Sequence, residues 1–313
     1  MNTKVLQRFV KDCNIPITVL EEPYFTYFVK LYDKDYGSLV KFQMLEETVR
    51  KAGSEEAFLE EYVKAKDAAI TQTEALPEYV AFLQQDMNMY AVETPRIPNL
   101  SGTDIYVMPN DGHRFISIDM RKANFQVLRR FSKALVFGAD TYEEYIRRFT
   151  DMPYIAQSKY TRQVIFGNMC PKRQVAMERY CMRRVFDFLR DEKGVPDSAF
   201  AVFTNDEIVL RADEFPFPCE SGEEPQSLQA LEQEIRKTMD IDISAKYFLL
   251  KSIGGKPYFV KEYGDGTRDF KNIPKDIFAQ VYKKYYGMEV LPQDMVFFYN
   301  GKLAAFLEGE FEE

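Results

Sequence analysis

The sequence predicts an α+β protein: helices at the start, then antiparallel strand pairs on which the polar chemistry sits. Three observations predict it. Residues 1–92 carry helix start signals, with a Ser cap and following acids in "SEEAFLEEYVKAKDAA" and a Pro near the start of "LPEYVAFLQQDM". Short β-prone runs, "FISID", "FAVF", "IVLR" and "KYFLLKSIGGKPYFVKEY", are bounded by turn residues. A 46% hydrophobic content, with 26 Phe and 20 Tyr in 313 residues, can fill a sizeable core.

After the helical first stretch, "ETPRIPNLSGTDIYVMPNDGHR" is rich in Pro, Gly, Asn and Asp and reads as a long loop. "FISID" is then a short strand, and "ANFQVLRRFSKALVFG" sets Val127, Leu128, Phe131 and Leu135 on one helical face before Gly138 ends it. Residues 155–192 read as helix broken at Pro171, with Met177, Cys181, Val185 and Phe188 forming a core stripe in the second half. "FAVF" and "IVLR" flank "TNDE" as a hairpin with Asp206 and Glu207 at its tip. An acidic loop, "CESGEEPQSLQ", precedes a helix near 227–239, and a second hairpin turns on Gly254 and Gly255. The tail closes with an amphipathic helix bearing Lys283 and Lys284, which either touch a duplex backbone or form a solvated face.

Composition removes several function classes. Four cysteines without paired short spacing and the lone His113 argue against a zinc site, a disulfide framework and a histidine-based nucleophilic triad. "MNTKVLQRFVKDC" is charged throughout and no apolar run reaches the length of a membrane span, so the expectation is a soluble, cytoplasmic protein with no membrane partner, in a host cell if the chain is of viral or phage origin. The net charge of −8 is uneven: Arg114 to Arg190 holds 16 Lys and Arg against 7 Asp and Glu. Such a segment either lines a groove that tracks phosphates or forms solvated arginine-faced helices.

The acids Asp119, at the end of "FISID", and Asp206, at the hairpin tip, are the chemical signal. Carboxylates brought side by side from separate strands repel each other, and their best use is to hold divalent cations such as Mg²⁺, or Mn²⁺. Two such ions stabilise both oxygens of an in-line phosphoryl displacement. The alternative is that Asp206 and Glu207 are ordinary turn residues and Asp119 a helix cap.

The order of motifs resembles the palm and fingers of family A DNA polymerases, the group related to bacterial DNA polymerase I. The likeness covers residues 96–212 and rests on four short motifs in order: "FISIDMRKANFQVLRRFS" with "PNL" upstream, Phe137-Gly138-Ala139-Asp140, "TRQVIFGNMCP" with Arg162 four before Phe166-Gly167, and Asn205-Asp206-Glu207 where the family has His-Asp-Glu. The resemblance implies an antiparallel palm sheet with helical fingers over about 138–192, within a unit 93–239. It also implies a helical thumb-like region at 1–92 and leaves 240–313 as a hairpin-and-helix extension. The activity implied is template-directed addition of nucleotides to a 3′ end, with primer–template DNA or RNA, nucleoside triphosphates and replication proteins as partners.

Under that resemblance, Asp119 and Asp206 are the metal ligands and Glu207 a secondary acid, its side chain turned to the other face of the hairpin. Arg162 meets the triphosphate, Phe166 stacks on the incoming base, and Asn124, Tyr142 and Lys159 complete the nucleotide site. Arg121, Lys122, Arg129, Lys172 and Arg173 contact nucleic acid. Departures are plain. Asn124 stands where DNA polymerases of the family carry a Glu against the ribose 2′-hydroxyl, Ser158 where a second cation is usual, and Cys170-Pro171 where the fingers helix would continue to a Tyr. A related metal-dependent nuclease or template-independent nucleotidyltransferase, and a non-catalytic nucleic-acid-binding protein, are the alternatives.

Overall fold

Side-chain caps and prolines start the helices where the sequence signals them. The computed structural model describes residues 1–215 and 226–309. Asn2 caps α1 (Thr3–Cys13) by accepting from the Val5 amide at 3.0 Å. There follow α2 (Tyr24–Leu31), α3 (Asp33–Tyr36) and α4 (Ser38–Ala52), which Gly53 ends at φ 89°. Ser54 then caps α5 (Glu55–Glu74) through the Ala57 amide, and Pro77 opens α6 (Pro77–Gln84).

A long irregular stretch leads into β1 (Arg114–Met120) and α7 (Ala123–Phe131). This helix stops earlier than Gly138: Ser132 leaves helical geometry and caps a 3₁₀ turn, Lys133–Val136, through the Ala134 amide. Short helices α8 (Tyr142–Ile146) and α9 (Pro153–Gln157) precede α10 (Lys159–Gly167) and α11 (Pro171–Asp187). The break between the last two lies at Cys170, at φ 54°, with Pro171 as the first residue of α11, where its missing N–H costs nothing.

Strands β2 (Phe200–Phe203) and β3 (Glu207–Arg211) form the expected hairpin, and α12 (Gln226–Met239) follows. Of the acidic loop expected over 219–229, residues 219–225 lie outside the described residues and residues 226–229 already belong to α12. Then come β4 (Ile243–Ile253), β5 (Lys256–Tyr263) and β6 (Arg268–Lys271), helix α13 (Phe278–Tyr285) and a separate hairpin of β7 (Val296–Tyr299) and β8 (Lys302–Ala305). The β4–β5 turn uses Gly254 and Gly255 at φ 62° and 66°, the paired positive values of a tight hairpin.

The first six strands make one antiparallel sheet in the order β2-β3-β1-β4-β5-β6. Its two faces differ. Ile116, Ile118 and Met120 of β1, with Ile208, Leu210, Ile243 and Ala245, join a core shared with α7, α11 and α12. A second core unites α1, α2, α4 and α5 with Val260, Phe270 and the α13 residues Phe278 and Tyr282. Lys283 belongs to that interior: it is 4% exposed and bonded at 2.6 Å to the buried Asp294, so it offers nothing to a duplex. The opposite sheet face carries a small cluster of Phe115, Val209, Phe248, Leu250 and Phe259, covered by Ile105 and Tyr106 from the loop before β1. Among the described residues no helix is long and apolar enough to cross a membrane.

Candidate active site

Alternation along β1 decides what the open face carries. With Ile116, Ile118 and Met120 turned to the helices, Phe115, Ser117 and Asp119 point the other way. Phe115 is covered, while Ser117 and Asp119 line a polar cleft of about 330 Å³ with Tyr106, Glu207, Ser244, Lys246, Lys261, Tyr263, Asp269 and Lys271. The sheet is thus sealed at one end of this face and polar at the other.

The hairpin tip delivers the other acids. The Thr204 amide donates to the Glu207 carbonyl at 2.9 Å, and the Glu207 amide donates to the Thr204 hydroxyl at 3.0 Å, closing a tight turn. Asp206 lies in that turn, exposed, and its carbonyl accepts from the Met120 amide at 2.8 Å, which joins the tip to the end of β1. Asp119 and Glu207 are direct cross-strand partners. Glu207 therefore shares the cleft face with Asp119, where it accepts from the Ser117 hydroxyl at 2.5 Å and from Lys261 Nζ at 3.4 Å. The expectation that it turns to the other face is corrected: the strand begins at Glu207, and Asp206 is a turn residue outside the alternation.

Crowding of these acids is visible in the proton affinity of Asp119. Loss of surrounding water, then the charges of Asp206 and Glu207, push the Asp119 carboxyl up to about 6, while Lys261 and Lys159 act in the opposite sense. Lys261 is 5% exposed and sits 4.6 Å from the Phe248 ring centroid. It is a buried counter-charge on the floor of the acidic cluster, and nothing in the residue pattern of β5 singled it out. Glu178 is a second residue the sequence reading missed. It is 9% exposed, and burial, then the charge of Asp206, raises its carboxyl to about 7. A signal existed: Glu178 precedes Cys181, Met182 and Val185 at helical spacing on the buried face of α11, where an acid is out of place.

Helix α10 supplies cations. Ser158 caps it through the Thr161 amide and donates to Asp12 at 2.6 Å, so the position where a second cation was sought is a structural cap. Lys159 is exposed and its charge reaches Asp119. Arg162 is half-buried, and burial lowers its pKa against the pull of Tyr142, Glu143 and Asp119. Its Nε and the Tyr142 hydroxyl are buried without a protein acceptor, and its guanidinium carbon lies 5.8 Å from the Tyr142 ring centroid. A half-buried cation that forms no ion pair with a carboxylate among the described residues is suited to an incoming anion.

Several expected ligand contacts are not available. Phe166 is 1% exposed and packs against Phe125, Tyr142 and Tyr145, so no base stacks on it in this conformation; Tyr142 is 2% exposed. Aromatic helix faces bury by default, and the spacing that puts Phe166 on the Arg162 side also puts it in the core. Asn124 is half-buried and its side-chain oxygen accepts from the next amide at 2.9 Å. The basic segment is mostly engaged within the protein. Arg121 pairs with Glu232 and Asp242, Lys122 with Glu143, and Arg129 with Asp240. Arg173 donates to the Phe82 and Gln85 carbonyls at the end of α6. Lys172 is exposed on α11. Compared with protein families, curated proteins and solved structures, the chain matches none.

Proposed function

We propose that the protein is a template-directed nucleic-acid polymerase of the DNA polymerase type, transferring nucleotides to a 3′ end at Asp119 and Asp206. One observation carries the reading: on the open face of an antiparallel sheet, Asp119 stands beside Glu207 and next to the turn of Asp206, and it feels the charges of Lys159 and Arg162 on α10. The like charges that raise the proton affinity of Asp119 are relieved by a divalent cation. Among the described residues no group of three or more His, Cys, Asp and Glu is arranged to hold a metal. A pair of aspartates fits Mg²⁺, which keeps several waters and takes its remaining ligands from substrate phosphates. When bound, Mg²⁺ or Mn²⁺ supplies charge stabilisation to the attacking and leaving oxygens.

The chain's own residues do the rest. Asp119 and Asp206 are held on a strand end and a hydrogen-bonded turn, a stiff support for ligands. Arg162 and Lys159 neutralise the triphosphate and the pyrophosphate that leaves. This cationic side favours a polymerase over a nuclease, which has no polyanionic nucleotide to hold. With Phe166 buried, the cations and not a stacked base hold the nucleotide.

Primer extension with DNA and RNA templates, each nucleotide set and Mg²⁺ or Mn²⁺ tests the proposal. Asp206→Asn keeps size and turn preference, so binding of primer–template is expected to persist while incorporation falls at least about a thousandfold, as expected when a metal ligand is lost. An Asp206→Asn protein that extends primers at the parent's rate makes "TNDE" an ordinary turn and ends this reading.

A further inference from the structure

A second cavity, of about 250 Å³, lies between α1, α4 and the start of α10 and shares no lining residue with the acidic cleft. Its charges do not balance. Lys41 of α4 and Lys159 of α10 both line it, and neither pairs with a carboxylate among the described residues. Lys41 is half-buried and donates to the Tyr36 carbonyl at 2.5 Å. The acid in the lining, Asp12, is already matched by Arg8 at 2.8 Å and accepts from the Ser158 hydroxyl at 2.6 Å. Lys41 and Lys159 are left uncompensated.

Two further features point to an anion. Helix α10, nine residues long, begins at this cavity. The Ser158 hydroxyl takes the Thr161 amide at 2.9 Å and the Ser158 carbonyl takes the Arg162 amide at 3.3 Å, which leaves the Lys159 and Tyr160 amides without an acceptor among the described residues. Tyr154 also lines the cavity and is 5% exposed. Its hydroxyl is enclosed near Asp12 and Cys13 and meets neither in hydrogen-bond geometry. A buried hydroxyl without a partner is costly, and an acceptor oxygen delivered from the cavity relieves that cost.

We propose that this cavity is a binding site for a small phosphate monoester, seated by Lys41, Lys159, the first amides of α10 and the Tyr154 hydroxyl. A doubly charged phosphate matches two cations at a helix N-terminus, whereas a carboxylate leaves one of them unmatched. The volume lies below the range of about 300–1,000 Å³ for drug-sized pockets, so the body attached to the phosphate is compact. Met44 and the Tyr154 ring give that body an apolar wall, and the exposed Asn14 and Gln157 offer partners to hydroxyls, which fits a pentose. Cys13 does not attack it: burial raises the thiol to about 11 against the pull of Lys41, so the group keeps its proton at neutral pH. The cavity binds its ligand without reacting with it, and the site stands whether or not nucleotides are joined at Asp119.

The test is titration calorimetry of the full chain, without added metal, using ribose 5-phosphate, inorganic phosphate and ribose. The proteins compared are the parent, Lys41→Met, Tyr154→Phe, Asp206→Asn and the control Lys4→Ala, on the exposed first turn of α1. Ribose 5-phosphate is expected to bind the parent, inorganic phosphate to bind more weakly, and ribose not to bind. Lys41→Met weakens ribose 5-phosphate at least about tenfold, as loss of a charge-assisted contact requires. Tyr154→Phe weakens it about threefold or more, yet leaves the denaturation midpoint of the free protein unchanged or higher, because the hydroxyl removed has no partner there. Asp206→Asn and Lys4→Ala keep the parent's affinity. The proposal is overturned if ribose 5-phosphate does not bind, if ribose or inorganic phosphate binds as tightly, or if Lys41→Met and Tyr154→Phe both match the parent. Should Lys41→Met fail to fold, Tyr154→Phe alone decides. Loss of binding in Asp206→Asn also overturns it, by placing the phosphate at the acidic cleft. Primer extension by the parent bears on none of these outcomes, so the site and the polymerase reading stand or fall separately.

Discussion

Glu178→Gln removes a charge from the interior while keeping the side chain's shape, and its effect on stability has a definite sign. Burial and the neighbouring Asp206 raise the folded-state pKa of Glu178 from 4.5 to about 7. The folded protein therefore binds this proton more tightly than the unfolded chain between those values. Stability that is fully present below pH 4.5 is lost as pH rises through 7. A shift of this size corresponds to about 3 kcal/mol at 1.36 kcal/mol per unit. In the Gln variant that loss is absent. The chain has no Trp, so denaturant unfolding is best followed by circular dichroism, at pH 4 to 9 with parent and variant side by side. The difference between them isolates Glu178 from every other titrating group. It is expected to be smallest at acid pH and to grow in the variant's favour to about 2–3 kcal/mol near pH 8, and to shrink when Asp206 is also replaced by Asn. A difference that stays flat with pH, or a variant that loses ground to the parent as pH rises, would refute the placement of a charged Glu178 in this interior.

Two further substitutions separate binding from packing. Arg162→Ala is expected to raise KM for nucleoside triphosphate at least tenfold with primer–template affinity unchanged, since its guanidinium is free of carboxylate partners; an unchanged nucleotide KM in steady-state extension removes Arg162 from the site. Phe166→Ala is expected to cost about 3–5 kcal/mol of stability as a cavity in the aromatic core, measured by denaturant midpoint, and a fully stable variant with altered nucleotide use would return Phe166 to the stacking role.

Local signals were readable where local chemistry settles the outcome. The Ser54 cap, Pro77 and Pro171 at helix starts, the Gly254-Gly255 turn and the Thr204–Asp206 hairpin tip each follow from a few adjacent residues. The proximity of Asp119 to the hairpin acids followed from motif order and is present as adjacent strands. What the sequence concealed is long-range. Arg121 and Arg129 look like free cations until Glu232, Asp240 and Asp242, more than a hundred positions later, fold back onto them. Lys261 and Lys246 lie in a hairpin whose register against β1 had no sequence signature. Glu207 shows how narrow the margin is: the sequence sets it in the tip before "IVLR", and as the first residue of β3 it enters the alternation on the face of Asp119.

The second core has a bearing on how the chain comes to be folded in the cell. Phe9, Phe25, Phe28 and Phe58 are made long before their partners Val260, Phe270, Phe278 and Tyr282. At synthesis rates of about 5–20 residues per second, the amino-terminal helices wait on the order of ten seconds or more with apolar surface uncovered. They are natural clients for a chaperone during that interval. The same dependence ties maturation to the later elements: until β5, β6 and α13 arrive, α10, with Lys159 and Arg162, leans on helices whose core is unfinished. A nascent chain arrested before residue 253 would therefore carry both aspartates and α10 on an unfinished second core.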